Sequence, residues 1–364
     1  MQLNEIIQAI ETFAPPSYQE DYDNSGLLIG NQNQQITAAL LTLDVTEAVV
    51  QEAIEKKCNL IIAHHPIIFS GIKRLTGKNY VERVIIKAIE NKIAIYACHT
   101  NIDNVIEGVN KKIATKIGLV NTRILQSKKN MLQKLVSFVP AENADKLRKA
   151  LFDAGAGNIG NYSECSFNVA GIGTFKGNEA SNPAVGTKNN IEKVEELRIE
   201  VIFEKYKHPN IINALKTNHP YEEVAYYVSD LENEYQNVGS GMIGELVEPM
   251  LIEDFFKLLK TVFNLQVIKH TAKMNEKVKK IAFCGGAGNF LLKDAIQQKA
   301  DVFLSADFTY HKFFDAENKI VICDIGHYET EQFTPEIFYE VISKKFPTFA
   351  LHLSKVNTNP INYF

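Results

Sequence analysis

The residues best suited to chemistry in this chain are two adjacent histidines that follow an apolar run. Residues 60–63 read as a buried strand, and His64, His65 and Pro66 come directly after them. Proline cannot continue a β-ladder, so the strand is expected to end there. Neighbouring strand residues point to opposite faces, so the two imidazoles bind one centre only if the chain turns, or they serve two neighbouring metal ions. The motif alone is equally compatible with surface or capping histidines.

The elements around this pair alternate between strands and helices. Residues 36–43, 60–63 and 93–98 read as strands, and residues 47–57 and 80–91 as amphipathic helices. This β-α-β-α-β order predicts a parallel sheet, in which ligands bind beyond the carboxyl ends of the strands.

Several candidate ligands follow those strand ends. They are Asp44, His64, His65, His99 and Asp103. Their convergence on one sheet edge favours a metal site with imidazole and carboxylate ligands. Asp44 alone is also typical of a helix cap.

The C-terminal part offers a second group of polar residues at strand ends. Residues 319–323 read as a strand, and His327 and Glu331 lie four residues apart after it, on one face if the turn is helical. Thr334-Pro335 is typical of a helix start, so the regular helix is expected only after Glu331. The Gly-rich residues 285–288 lack a full dinucleotide fingerprint and favour close packing or an anion contact. A further helix is expected to carry His311.

The middle of the chain has a different pattern. Residues 128–234 predict an inserted, split ferredoxin-like α+β domain, with a polar connection over 155–190. Residues 1–127 and 235–364 are then the two halves of one metal-binding α/β domain. Residues 219–223 favour a structural or ligand-gating turn, and the polar segment 21–26 favours a solvated turn.

Composition narrows the class of protein. With 45% hydrophobic and 23% charged residues and a net charge of −4, the chain is typical of a soluble globular protein with no general attraction to nucleic acid. No apolar run reaches the roughly 20 residues of a membrane span, and the N-terminus lacks a signal-peptide pattern, so a cytoplasmic location is expected. The five cysteines form no CxxC pair. They indicate reduced core thiols, leaving a metal site to imidazole and carboxylate ligands.

Five short stretches together resemble the Nif-three family of dinuclear metal proteins, often labelled GTP cyclohydrolase I type 2 homologues. They span both halves of the chain: residues 62–66, 99–103, 239–246, 285–288 and 326–331. Residues 160–162, 165–167 and 219–223 look like the PII-like inserted domain of the family's longer members. One departure is Met242, where a basic residue is common.

The resemblance implies a mixed or parallel-sheet metal domain built from both chain halves, with the PII-like insert. It places two divalent ions per chain on His64, His65, Asp103, His327 and Glu331, which are expected to meet at the carboxyl edge of one shared sheet. Zinc is favoured as the metal, with iron, manganese or nickel as alternatives. The resemblance also gives candidates for residues that contact the ligands from behind or that transfer protons. They are His99, Asp44 and His311. The family's ring-shaped homohexamer is implied as well.

The activity implied is hydrolysis of GTP or another nucleotide or phosphoester by hydroxide bound to the metals, with His99 as a proton shuttle. The same residues suit a second reading, a non-catalytic metal-binding protein whose insert senses a small molecule. A third, suggested by the family name, is a partner of the transcription machinery, for which the acidic sequence offers little support.

Overall fold

The computed structural model describes residues 1–364, which divide into two compact units. The first unit combines residues 1–127 with residues 236–364. The second comprises residues 128–235. No helix combines the length and apolar character needed to cross a lipid bilayer.

The N-terminal part of the first unit alternates helices with short strands. In chain order these are α1 Leu3–Phe13, β1 Gly26–Ile29, β2 Ala38–Thr42, α2 Glu47–Glu55, β3 Leu60–Ala63, α3 Tyr80–Glu90, β4 Ala94–Ala97, α4 Thr100–Asn104, α5 Val109–Ile117 and β5 Val120–Lys128. Local signals set several boundaries. The Thr46 side chain caps α2 by accepting from the Val49 amide, Asn79 caps α3 in the same way, and Gly118 ends α5 in the left-handed region with φ +83°.

The second unit has four strands and two helices. They are β6 Leu132–Pro140, α6 Ala144–Asp153, β7 Phe167–Lys176, β8 Ile191–Glu204, α7 His208–Asn218 and β9 Tyr226–Leu231. Their antiparallel order β7-β8-β6-β9 is that of a ferredoxin-like β-α-β-β-α-β unit. Both helices pack on one face of this sheet, where Leu135, Leu147, Ile199 and Leu215 are buried in one core. The polar passage 155–190 was expected to be a connection, but it contains β7.

The C-terminal part of the first unit supplies the remaining elements. They are β10 Tyr235–Leu251, α8 Ile252–Phe263, β11 Lys269–His270, β12 Lys277–Ala287, α9 Leu292–Gln297, β13 Val302–Ala306, β14 Val321–Asp324, α10 His327–Glu331, α11 Thr334–Lys345 and β15 Ala350–Leu353. The predicted regular helix begins at Thr334, but a separate short helix, α10, already spans His327 to Glu331.

The first unit contains two sheets. The five-stranded sheet has the order β1-β4-β3-β2-β15, and its strands β2, β3 and β4 are parallel as predicted. The six-stranded sheet has the order β11-β14-β13-β12-β10-β5. Strands β2, β3 and β13 are buried along their whole length, which explains their nearly continuous apolar sequences. The two sets of candidate ligands therefore follow strands of different sheets, and the expectation of one shared sheet is wrong.

Candidate metal centre

The five predicted ligands meet in the first unit although they come from both ends of the chain. His64 and His65 follow β3, and Asp103 lies in α4. His327 and Glu331 are the first and last residues of α10. One helical turn separates them, so their side chains lie on the same face.

Their side chains form two overlapping groups whose ligand atoms lie within 4.8 Å of one another. One group is His65, His327 and Glu331, and the other is His64, Asp103 and Glu331. Glu331 belongs to both. Its Oε2 lies 2.9 Å from His65 Nε2, 3.1 Å from His327 Nε2 and 3.7 Å from His64 Nε2. Each group offers three protein ligands, the number typical of a catalytic zinc site with an open position.

Two buried atoms of the second group have no hydrogen-bond partner. They are His64 Nε2 and Asp103 Oδ1, which lie 3.6 Å apart. A buried polar atom without a partner costs about 1–3 kcal/mol. A cation between the imidazole and carboxylate would satisfy both atoms, so the residues present fit a metal ion.

The ligand imidazoles are oriented through their other ring nitrogens. Nδ1 of His64 lies 3.0 Å from the Cys98 carbonyl oxygen, Nδ1 of His65 lies 2.7 Å from Asp44 Oδ1, and Nδ1 of His327 lies 2.6 Å from Asp307 Oδ2. These contacts leave all three Nε2 atoms for the centre. Metal-ligating histidines are held in the same manner.

Asp44 therefore positions a candidate ligand and does not cap α2, which is capped by Thr46. Its second oxygen accepts a hydrogen bond from Thr358 Oγ1 at 2.5 Å. Sequence reasoning missed Asp307, which follows β13 in the left-handed region with φ +59°. His311 lies exposed in the 3-10 segment Tyr310–Ala316, against Tyr310 and Phe314, and its acid–base role stays a prediction.

A second pair, His99 and Asp23, lies beside the ligands. The His99 ring is 5.2 Å from that of His64 and 5.4 Å from that of His65, centroid to centroid, and its Nδ1 lies 2.7 Å from Asp23 Oδ1. The Asp23 side chain is fully buried and also accepts from the Thr100 amide. The expectation of a solvated turn over 21–26 is thus wrong for Asp23.

Charge is strongly coupled within the cluster. Burial raises the pKa of Asp103, and the nearby Glu331 carboxylate raises it further. Burial opposes ionisation of Glu331, but His64, His327 and His65 outweigh it and lower its pKa. Burial likewise opposes the charged forms of His65 and His327, yet hydrogen bonds to carboxylates raise their pKa values to about 10 and about 11. Without metal, both imidazoles are protonated at neutral pH.

Metal binding should therefore release protons. Ligand imidazoles must be neutral and ligand carboxylates ionised, so a divalent ion has to displace the protons of His65, His327 and Asp103, whose pKa is raised to about 8. This makes about three protons per chain near pH 7. Apparent metal affinity should rise with pH until it approaches the raised pKa values of about 10 and about 11. Calorimetric titration with zinc in buffers of different ionisation enthalpy counts these protons. Binding without proton release would contradict the ligand assignment.

The orienting carboxylate Asp44 gives a second prediction. Asp44→Asn keeps the shape but removes the charge opposite His65, and loss of such a contact typically lowers metal affinity 10- to 100-fold. Competition with a chromogenic chelator measures the change. Asp145→Asn, an exposed carboxylate of the second unit, is the matched control and should have no effect. If Asp44→Asn and the wild type have equal metal affinities, Asp44 does not support metal binding.

The Gly-rich segment after β12 supports the cluster by close packing. Gly286 has φ +62°, and a Cβ there would lie 2.3 Å from Glu331 Oε1. The amides of Gly285, Gly286 and Gly288 donate to Asn110 Oδ1, Thr330 Oγ1 and Ser305 Oγ. Because these amides are already used, they do not form an anion cradle.

Fold and site together define a mixed α/β protein whose clustered histidines and carboxylates can hold a metal ion. The chain belongs to the Duf34/NIF3 (NGG1p interacting factor 3) family, whose model matches residues 1–360. A Halalkalibacterium halodurans relative named GTP cyclohydrolase 1 type 2 homolog is 39% identical over 98% of both chains. A Bacillus subtilis relative of the same name is 36% identical over 99% of this chain and 98% of its own.

Solved structures agree with this assignment. The structure of a Bacillus cereus protein related to NIF3 superposes with a TM-score of 0.89 at 38% identity, covering 100% of this chain and 99% of the other. A Staphylococcus aureus protein gives a TM-score of 0.80 at 29% identity with the same coverage. The predicted family and mixed α/β fold are confirmed.

Proposed function

We propose that this protein is a hydrolase that depends on two divalent metal ions and acts on GTP or a related nucleotide. The observation that carries the proposal is the pair of three-ligand groups sharing Glu331. In this assignment, one ion would be held by His65, His327 and Glu331 and the other by His64, Asp103 and Glu331. Zinc suits the imidazole and carboxylate set, and iron, manganese and nickel are alternatives.

Two such ions supply Lewis acidity, which makes a water nucleophilic at neutral pH and polarises the substrate. The remaining tasks belong to the protein. The shared position of Glu331 keeps the two ligand groups adjacent, and Nδ1 contacts fix the rings of His64, His65 and His327 before substrate arrives. Such preorganisation avoids reorientation during the reaction.

Proton transfer is assigned to His99. Its Nδ1 is held by Asp23, so the proton on that nitrogen is retained and Nε2 is left as the acceptor. From beside His64 and His65, His99 Nε2 can take a proton from the attacking water and return it to the leaving group. Asp23 positions this ring and keeps it in the required tautomer. General acid–base catalysis of this kind contributes about 10²- to 10⁴-fold in rate.

The choice of GTP or a related nucleotide rests on the names of the relatives. Hydrolysis at guanine C8 with release of formate and hydrolysis of a phosphoester are both compatible with a two-ion site, since fold alone does not select a reaction. The implied homohexamer and the PII-like character of the second unit stay predictions. Light scattering of the purified chain tests the former.

A substrate panel tests the proposed function. Protein purified without chelators and reloaded with zinc, manganese or iron is incubated with GTP, a nucleotide phosphodiester and a phosphomonoester. Formate, inorganic phosphate and the phosphomonoester formed from the phosphodiester are measured separately. At least one substrate should be turned over, and Asp103→Asn should abolish that turnover.

The control is Asp21→Asn, which alters an exposed carboxylate two residues before Asp23. It should retain full activity. If fully loaded protein turns over none of the substrates, or if Asp103→Asn is as active as wild type, the hydrolase proposal is wrong and a non-catalytic metal-binding role replaces it.

A further inference from the structure

The second unit contains a cavity of about 910 Å³ on the sheet face opposite its two helices. Strand β7 and the segment after it form much of the lining, together with side chains from β6, β8 and β9. All lining residues belong to the second unit. The volume lies in the range of small-molecule sites. None of the candidate metal ligands takes part.

A buried carboxylate faces this cavity. Glu196 is 9% exposed, and its Oε1 accepts a hydrogen bond from Tyr221 Oη at 2.8 Å. Its Oε2 lies over Gly173, where a Cβ would come within 2.1 Å of it. Glycine at this position therefore makes room for the carboxylate. One tyrosine uses only part of the accepting capacity of an ionised carboxylate, which leaves Glu196 able to accept from a ligand.

Beside Glu196, the cavity is lined by the backbone of Gly171, which we call its floor. Gly171 is the cross-strand partner of Glu196, and a Cβ built on Gly171 would meet no atom within 4 Å. Glycine in a strand interior often marks a place where a ligand approaches the backbone closely. A flat ring can therefore lie on β7 with its edge toward the carboxylate.

Two aromatic pairs line other parts of the cavity. Phe138 and Tyr227 form one edge-to-face pair with centroids 6.0 Å apart. Phe175 and Tyr221 form another pair, also at 6.0 Å. All four line the cavity. Aromatic side chains together with a few placed polar groups are typical of sites for planar ring compounds.

The charge of the lining argues against a phosphorylated ligand. Glu196, Glu222 and Glu223 face Arg198 and Lys176, an excess of one negative charge. The Arg198 guanidinium is already paired with Glu200 at 2.7 Å. The cavity thus lacks the group of free cations that a di- or triphosphate needs.

We propose that this cavity binds a planar heteroaromatic compound without phosphates that presents adjacent N–H donors along one edge. Glu196 accepts those donors, the ring lies on Gly171, and Tyr221, which is hydrogen-bonded to Glu196, lies beside it. A guanine edge, with its ring N–H and exocyclic amino group, has this chemistry. The site is separate from the proposed metal centre and does not depend on the hydrolase proposal.

Equilibrium dialysis of the full-length chain tests the proposal, with guanosine as the probe. The measurements use an Asp103→Asn background, so that a nucleoside at the metal centre does not contribute. Guanosine should bind, and inosine, which lacks the amino group, should bind at least about tenfold more weakly, because it loses one hydrogen bond to the charged Glu196. GTP should also bind more weakly than guanosine.

Glu196→Gln should weaken guanosine binding by a similar factor. Glu195→Gln is the matched control, because Glu195 is exposed, is adjacent in β8 and is not part of the lining, so binding should be unchanged. Gly171→Val fills the floor with a residue that favours strands, and should block binding without lowering the melting temperature.

Two results would overturn the proposal. One is unchanged affinity in both Glu196→Gln and Gly171→Val. The other is no guanosine or inosine binding to folded protein, as expected if a second copy of the chain covers this face. Either result can occur whether or not the metal centre is active, so the two proposals fail independently.

Discussion

Glu331→Gln should strip the protein of most of its bound metal and of its hydrolytic activity. The substitution keeps the size of the side chain but removes the charge that faces His64, His65 and His327 within 3.7 Å. Because Glu331 belongs to both ligand groups, both ions lose a ligand at once. We expect the loss of metal affinity to exceed the 10- to 100-fold typical of an outer hydrogen-bond partner. Elemental analysis of chelator-free protein measures the metal bound per chain.

Glu329→Gln provides a closely matched control. Glu329 lies in the same short helix and is also buried, but its carboxylate accepts a hydrogen bond from Asn359 and belongs to neither ligand group. Its substitution should leave metal content unchanged. If Glu331→Gln retains two ions per chain, or if both variants lose metal equally, Glu331 is not the shared ligand.

His99→Gln should lower kcat by about 10²- to 10⁴-fold while leaving metal content unchanged. His99 is close enough to His64 and His65 to form a third possible ligand group. Its Nδ1, however, is held by a fully buried carboxylate, which suits an imidazole that transfers protons. Steady-state kinetics and elemental analysis of the same preparation distinguish the two roles.

Asp23→Asn completes this test. An asparagine can present an amide to His99 Nδ1 and favour the wrong tautomer, so kcat should fall while metal content stays constant. Thr12→Val is the control and should have no effect, because Thr12 is exposed and its hydroxyl donates only to a backbone carbonyl within α1. A His99→Gln variant that loses metal together with activity would make His99 a ligand and contradict the proton-transfer role.

The part of the site that could be predicted is the part that follows strand ends. His64 and His65 come directly after a wholly apolar run, and β-α-β order alone places such residues at one edge of a sheet. Bringing Glu331 to them required the family resemblance, because 266 positions separate it from His65. Sequence pattern does not show that β14 belongs to a second sheet, since short buried strands look alike in either sheet.

Residues that orient the ligands were harder to find. Asp23 lies in a segment whose composition is typical of a solvated turn, and only the folded chain shows it buried against His99. Asp307 resembles any polar residue after a strand. Strand β7 was missed because it contains two glycines and an asparagine, and its burial pattern lacks the apolar alternation that identifies a strand.

Anomalous diffraction from crystals grown with zinc or manganese tests the central claim most directly. We predict two peaks per chain, about 3.5–4 Å apart, in contact with His64, His65, Asp103, His327 and Glu331, and with Glu331 reaching both. A single peak, or peaks bound by other residues, would contradict it.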